Sequence, residues 1–193
     1  MRDLIRMVVV LTALTFVAGG LLAAVKSATE LQIENQVLKF QKAPAINSLF
    51  PDATNDPVTD RFTVEADDMK LQVFQAKNPD GTNLIAFETK GSGFGGTMGL
   101  MVGVNVQTDA VEGVRMTTHA ETPGIGTKAK DDLSFVSQFN GLNLNEGFAL
   151  QAEGGSISAI SGATVTSKGL LVAANKAKDI YKKLKPKIIE NLK

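Results

Sequence analysis

The spacing of apolar residues changes its period along the chain. Met7 to Val25 is a run of 19 uncharged residues, MVVVLTALTFVAGGLLAAV, apolar on every side if wound as a helix. Such a helix is about 28 Å long at ~1.5 Å per residue, close to the ~30 Å hydrocarbon core of a bilayer. From Ala28 to Gln41 the pattern narrows. Ile33, Val37 and Phe40 recur at i, i+4 and i+7, the stripe of an amphipathic helix that carries the first segment outward as a short stalk. Pro44 and Pro51-Asp52 punctuate the end of this region.

Beyond the turn-rich stretch Asn55 to Asp60 the chain is β-rich. Leu71 to Ala76 is strand-like and ends in the turn Asn78-Pro79-Asp80-Gly81. Leu84 to Thr89 predicts a second strand. Val102, Val104 and Val106 alternate as one face of a third, and after a turn over Gln107 to Gly113 the alternation resumes at Val114 to Thr117. The reading is an antiparallel meander. Asp131-Asp132 predicts the cap of a short helix carrying Leu133, Val136 and Phe139. Phe148 to Ala152 and Ser156 to Ile160 read as two further short strands. A last helix begins near Thr166, with Leu170, Ala174, Ala177, Tyr181 and Leu184 forming an apolar seam. Pro186 is expected to end or kink it. The fold class is therefore α+β: one N-terminal transmembrane helix, then a single domain with a largely antiparallel sheet and flanking helices. The division is 1–27 for a cytoplasmic stub and membrane anchor and 28–193 for the domain.

Charge orients the anchor. Arg2 and Arg6 precede the apolar run and Asp3 offsets them only in part, which favours a cytoplasmic N-terminus and an extracytoplasmic domain on a single-pass plasma-membrane protein. The competing reading is a cleaved signal peptide, but the apolar run exceeds the usual ~7–15 residues and no clean A-x-A site follows. The net charge of the chain is zero and unevenly spread. From Lys168 onward eight lysines face only Asp179 and Glu190, a net of +6, while 26–167 carries −7. The lysine run reads as a solvated helix face or as attraction to anionic membrane lipid or an acidic partner. Nucleic acid is not an expected partner, because the few aromatics are not interleaved with basic residues. The absence of cysteine excludes disulfides, thiolate-bound iron–sulfur clusters and cysteine zinc sites within this chain, and one histidine, His119, cannot build a multi-histidine metal or haem site. No metal site and no catalytic residue of its own is expected.

Gly91-Ser92-Gly93-Phe94-Gly95-Gly96 satisfies G-x-G-x-x-G after a strand-like segment. Dinucleotide binding also needs a helix to follow, so that its N-terminus meets the pyrophosphate. Thr97-Met98-Gly99-Leu100-Met101-Val102-Gly103-Val104 follows instead, and its glycines and β-branched residues disfavour a helix. The cluster reads as a turn or bulge where backbones approach closely.

Two polar loops remain. Thr118 to Thr127 contains His119-Ala120-Glu121-Thr122-Pro123-Gly124-Ile125-Gly126, and Ser161-Gly162-Ala163-Thr164-Val165-Thr166-Ser167 runs into the last helix. On their own they read as an ordered turn and an ordinary helix cap. Together, and in this order behind the anchor and the glycine cluster, they resemble the FMN-binding domain family found in the G subunit of Rnf complexes and the C subunit of Na⁺-pumping NADH:quinone oxidoreductases. The first matches that family's H-x-E-T-P-G-L-G, with Ile125 in the leucine position. The second matches its S-G-A-T flavinylation signature. The chain's length and near-N-terminal anchor fit the Rnf protein better.

The resemblance implies FMN bound through a phosphoester to Thr164. Ser161, Gly162 and Ala163 are then the small neighbours that leave the hydroxyl accessible. Ser161, Thr166 and Ser167 are expected to add hydroxyl donors, and the N–H groups of the following helix to favour the phosphate. Glu121, Thr122, Gly124 and Ile125 would line the flavin pocket, with Ile125 on the ring; alternatively Glu121 ties its loop down by accepting backbone N–H bonds. His119 is a candidate to tune the flavin potential or relay a proton. Implied partners are the other Rnf subunits and the flavin transferase that attaches FMN. That transferase usually recognises Asp three residues before the motif serine, where this chain has Ser158. The implied function is electron transfer within an ion-translocating ferredoxin:NAD⁺ oxidoreductase. The competing readings are a structural or assembly subunit without flavin and a stand-alone anchored flavin reductase.

Overall fold

The computed structural model describes residues 1–66 and 69–192; residue 193, the end of the expected domain, lies outside them. The chain divides into two compact units, Met1–Phe40 and Gln41–Lys193, whereas the sequence pattern put the boundary after residue 27. The first unit is helix α1 (Arg2–Val37), followed across the boundary by a π-helical turn, Leu38–Lys42. No residue of α1 is buried, and the helix is long and apolar enough to cross a membrane. Pro44 does not stop the helical path, as the sequence pattern suggested. It sits in the first turn of α2 (Ala43–Leu49), directly after the π-helical turn, whose wider ladder accommodates the missing N–H.

The second unit is built on a five-stranded antiparallel sheet in the order β1-β2-β3-β4-β5. The strands are β1 (Arg61–Ala66), β2 (Met69–Lys77), β3 (Asn83–Ser92), β4 (Thr97–Asn105) and β5 (Val111–Met116). The expected meander is therefore present. Both faces of the sheet are covered, so β4 is buried almost throughout rather than at alternate positions. One face presents Ile85, Phe87, Leu100 and Val102 to helix α5 (Thr164–Asn191), which answers with Leu170, Ala174, Ala177, Tyr181, Leu184 and Ile188. Phe87 and Tyr181 stack with ring centroids 6.4 Å apart. The other face is covered by α2 and the residue after it: Leu49 lies over Gly113, where a Cβ would come within 2.9 Å of it, and Phe50 over Gly103, where a Cβ would make a tight 3.3 Å contact.

Four further expectations are corrected. Phe148 to Ala152 and Ser156 to Ile160 are not strands. They meet at one bridge, Leu150 with Ile157, and a 3-10 turn (Gln151–Glu153) intervenes; with no further strand beside them, single-residue pairing cannot propagate. The last helix starts at Thr164, two residues early. It also runs unbroken through Pro186 to Asn191, because Leu184 and Ile188 are buried on either side of the proline and hold it to the core. The expected short helix is two pieces, α3 (Lys128–Asp131) and α4 (Leu133–Val136). Asp132 caps the second by accepting from the Ser134 N–H at 2.9 Å.

Candidate functional site

Antiparallel pairing brings the end of β3, the start of β4 and the end of β5 to one end of the sheet. Gly91-Ser92 closes β3, and the Gly93 N–H to Gly96 O bond (2.8 Å) turns the chain into β4. The glycine cluster is thus a hairpin tip, with no helix behind it. The β4–β5 pairing extends past β5 through Gly99 N–H to Thr118 O (2.8 Å), so the loop from His119 leaves beside that tip. Helix α5 begins at the same end, since Gly169 in its second turn packs on Ser92 and Gly91 with no space for side chains.

An open cavity of about 420 Å³ lies among these segments, within the ~300–1,000 Å³ usual for ligand pockets. It is lined by Phe94 from the hairpin tip, by Glu121, Thr122, Ile125 and Gly126, and by Gly162 to Thr166. Most of the lining surface is apolar. Phe94, Ile125 and Val165 are exposed here at 77%, 49% and 53%, so three large apolar side chains border the cavity while facing solvent.

The attachment loop is held from beneath. Ser167 is fully buried; its hydroxyl accepts from the Ile160 N–H and donates to the Ala163 carbonyl, both at 3.0 Å. Gly162 turns the chain with φ of 77°, a left-handed conformation suited to glycine. Thr164, exposed, is then the first residue of α5. The N-cap is Ala163, with no capping side chain. The first helical bond runs from Ser167 N–H to Ala163 O (2.9 Å), so the N–H groups of Thr164, Val165 and Thr166 have no intrahelical acceptor. The ordinary cap reading of this heptapeptide therefore does not describe it.

Glu121 joins all three segments. Its carboxylate accepts from the Gly95 N–H at 2.9 Å and from the Thr166 hydroxyl at 2.6 Å. It is 6% exposed, and any side chain at Gly93 or Gly126 would overlap it. The backbone-accepting alternative for Glu121 is the one the geometry displays, while part of the residue still lines the cavity. The Thr166 hydroxyl proton is thereby committed to Glu121, and that of Ser167 to Ala163. Ser161 does not line the cavity; it borders a separate hollow of about 230 Å³ with Lys128, Asp132, Ser134 and Ser158. Gly124 is not in the lining either. With φ of 73° it forms the turn in which the Thr122 carbonyl accepts from Ile125, Gly126 and Thr127 at 3.1–3.3 Å. His119 is half-buried outside the lining, its Nδ1 enclosed without a hydrogen-bond partner.

Sequence reasoning missed Phe94, read only as part of a glycine turn; an aromatic residue between glycines was the available signal. It also missed Gln138, whose side-chain amide accepts from the Ser158 N–H (2.7 Å) and donates to the Ser158 carbonyl (3.2 Å), fixing the approach to the loop.

Residues 93–179 match the model of the FMN-binding domain. The chain is similar to the G subunit of the ion-translocating oxidoreductase complex of Salmonella typhimurium (30% identity over 86% of this chain and 86% of that one) and to its counterpart in Vibrio cholerae (29% over 87% and 85%). Similarity to the Cereibacter sphaeroides counterpart is 27% over 72% of this chain, and spans only 65% of that protein's length. Among solved structures, the C subunit of the Na⁺-translocating NADH-quinone reductase of Parabacteroides distasonis superposes with a TM-score of 0.53 at 23% identity, covering 63% of this chain and 71% of that one. NqrC of Shewanella oneidensis gives 0.53 at 20%, covering 73% of each. These two share the fold.

The cavity suits FMN on its own chemistry. A flat, largely apolar ring system matches the Phe94, Ile125 and Val165 border. A phosphate matches the uncapped start of α5, whose free N–H groups and dipole favour an anion.

Proposed function

The chain belongs to the family of G subunits of ion-translocating oxidoreductase complexes, and on that premise we propose that it is the membrane-anchored electron-transfer member of such a complex, holding FMN through a phosphoester to Thr164. The observation that carries this reading is the exposed Thr164 hydroxyl at the uncapped start of α5, on the border of the cavity. When bound, FMN supplies reversible redox chemistry that no side chain of this protein offers.

The protein's own residues do the rest. The N–H groups of Thr164, Val165 and Thr166 hold the phosphate at the helix start. Gly162 and Ala163 leave room around the attachment oxygen. Phe94 and Ile125 would offer apolar surface to the ring, and Thr122 a polar edge. Ser167 and Gln138 fix the loop so that the hydroxyl is presented to the flavin transferase. Ser158 is exposed, so a residue in the position that the transferase usually reads is open to it. The chain has no cysteine to hold an iron–sulfur cluster, and the sheet of its described residues is an antiparallel meander rather than a dinucleotide fold. Neighbouring subunits must therefore deliver and receive the electrons, in a complex that links ferredoxin and NAD⁺ to ion movement. The α1 helix anchors the domain in membrane lipid on the extracytoplasmic side.

Intact-mass measurement on the protein from its natural host, with in-gel fluorescence after denaturation, tests the reading. The expected result is one FMN per chain, retained on denaturation and absent from Thr164→Ala, which keeps its melting temperature. A colourless, unmodified native chain would favour the scaffold alternative instead.

A further inference from the structure

Glu121 does more in this structure than close a loop. Both carboxylate oxygens act as acceptors, one from the Gly95 N–H and one from the Thr166 hydroxyl. That is the pattern of the ionised form, which has acceptors only. Among the described residues no Lys, Arg or His pairs with it. The side chain is nine-tenths buried, at 6% exposure, yet it lines the cavity. A fixed negative charge at the cavity wall, without a cation beside it and shielded from water, acts strongly on any charge placed in the cavity. His119, the sequence's candidate for such a role, does not line the cavity.

We infer that Glu121 sets the redox potential of the proposed flavin, holding it low by electrostatic opposition to the negative charge that reduction adds. This rests on the flavin reading of the cavity and assigns Glu121 as a positioning and tuning residue rather than a ring ligand. Two functions are combined in one side chain: it ties the hairpin tip to α5, and it charges the wall between them.

The two are separable by substitution. Glu121→Gln keeps the geometry, because the amide oxygen still accepts from Gly95 and the amide N–H₂ donates to the Thr166 hydroxyl, which accepts in turn. Only the charge is lost. Thr166→Val, nearly isosteric, does the reverse. It keeps the charge and removes one of the two donors that offset it.

The experiment is spectroelectrochemical titration of the full-length chain, purified in detergent after co-expression with a flavin transferase, with fluorescence after denaturation to score attachment. The inference expects opposite shifts: the midpoint of Glu121→Gln moves positive of wild type and that of Thr166→Val moves negative. A merely structural clamp gives no such pair of signs. If flavin-bearing variants titrate at the wild-type midpoint, the inference is overturned and the flavin reading stands. If Glu121→Gln carries no flavin, the Thr166→Val midpoint decides in the same way. A flavin-free wild-type chain overturns the proposed function, and this inference with it.

Discussion

Asp109 is the one non-glycine residue with positive φ (60°) among those described, a conformation Asp tolerates better than most residues. It sits in the β4–β5 turn and accepts from the Tyr181 hydroxyl (2.6 Å), the Lys185 ammonium (2.5 Å) and Asn145 (3.0 Å), so the turn is bolted to α5. Burial alone would raise its carboxyl pKa; the hydrogen bonds from Lys185, Tyr181 and Asn145, with the charge of Lys185, outweigh that and hold it below the ordinary value. Asp109→Asn should therefore cost about 2 kcal/mol, the scale of hydrogen bonds to a charged group, read by urea denaturation at neutral pH. A folded pKa below the unfolded one gives stability that is full above the unfolded value of ~3.9 and is lost as pH falls through the folded value. The gap between wild type and variant should accordingly close on acidification below pH ~4; a gap that persists there would contradict the charge assignment. None of this was legible in the sequence. Tyr181 is visible on the seam of the last helix, but nothing local to Asp109 names a partner 72 residues away. At the site, Thr164 and Glu121 were legible because whole motifs surround them. Phe94 and Gln138 were not, because their roles exist only once distant loops meet.

At the level of elements, the close approach of α5 to β3 depends on two glycines that face each other. A methyl group on Gly91 would overlap the Gly169 carbonyl, and one on Gly169 would overlap the Ser92 carbonyl. Thr89, also buried, donates to the Ala173 carbonyl at 2.9 Å, which further tightens the contact. Gly169→Ala sets two effects against each other. Helix propensity favours alanine by about 1 kcal/mol. Overpacking costs about 1–3 kcal/mol, and here the obstacle is backbone, which cannot rotate away, so the upper part of that range applies. The expected outcome is a net destabilisation of roughly 1–2 kcal/mol in thermal melts, with weaker flavin incorporation because the start of α5 shifts. Gly124→Ala, in a turn with open space but positive φ, should cost only backbone strain, ~1 kcal/mol. The contrast explains what sequence reading reached at this scale. The meander was legible because strand-like and alternating apolar segments are separated by turn residues such as Asn78-Pro79-Asp80-Gly81. Phe148 to Ile160 carries the same composition without a strand to pair with, and composition does not report partners. Pro186 misled for a similar reason: a local rule about a missing N–H was outweighed by burial of Leu184 and Ile188.

For the whole molecule, the apolar helix α1 would decide on which side of a membrane the proposed chemistry takes place. The core, the cavity and both loops belong to the unit Gln41–Lys193, and α1 buries nothing. The domain without residues 1–40 should thus fold and melt cooperatively, since removing α1 takes away no core residue. What α1 would supply is the side of the membrane. Only Arg2, Asp3 and Arg6 carry side-chain charge ahead of the apolar run, while Lys26 follows it. Cationic residues near the end of a span tend to be retained on the cytoplasmic side, and Arg2 and Arg6 ahead of the run compete with Lys26 directly past it and with Lys39 and Lys42 further out, so the proposed orientation rests on a narrow bias. A narrow bias is one that substitution can reverse. In a bacterial host, alkaline phosphatase fused after Lys193 should be active on the wild-type chain, because that enzyme requires export, and a fluorescent protein that matures only in the cytoplasm should stay dark in the same position. Replacing Arg2 and Arg6 with glutamate while keeping Lys26 shifts the positive end beyond the span. Phosphatase activity should then fall and cytoplasmic fluorescence appear. An inactive phosphatase fusion on the wild-type chain would place the cavity on the cytoplasmic side, and with it any partner of the proposed flavin.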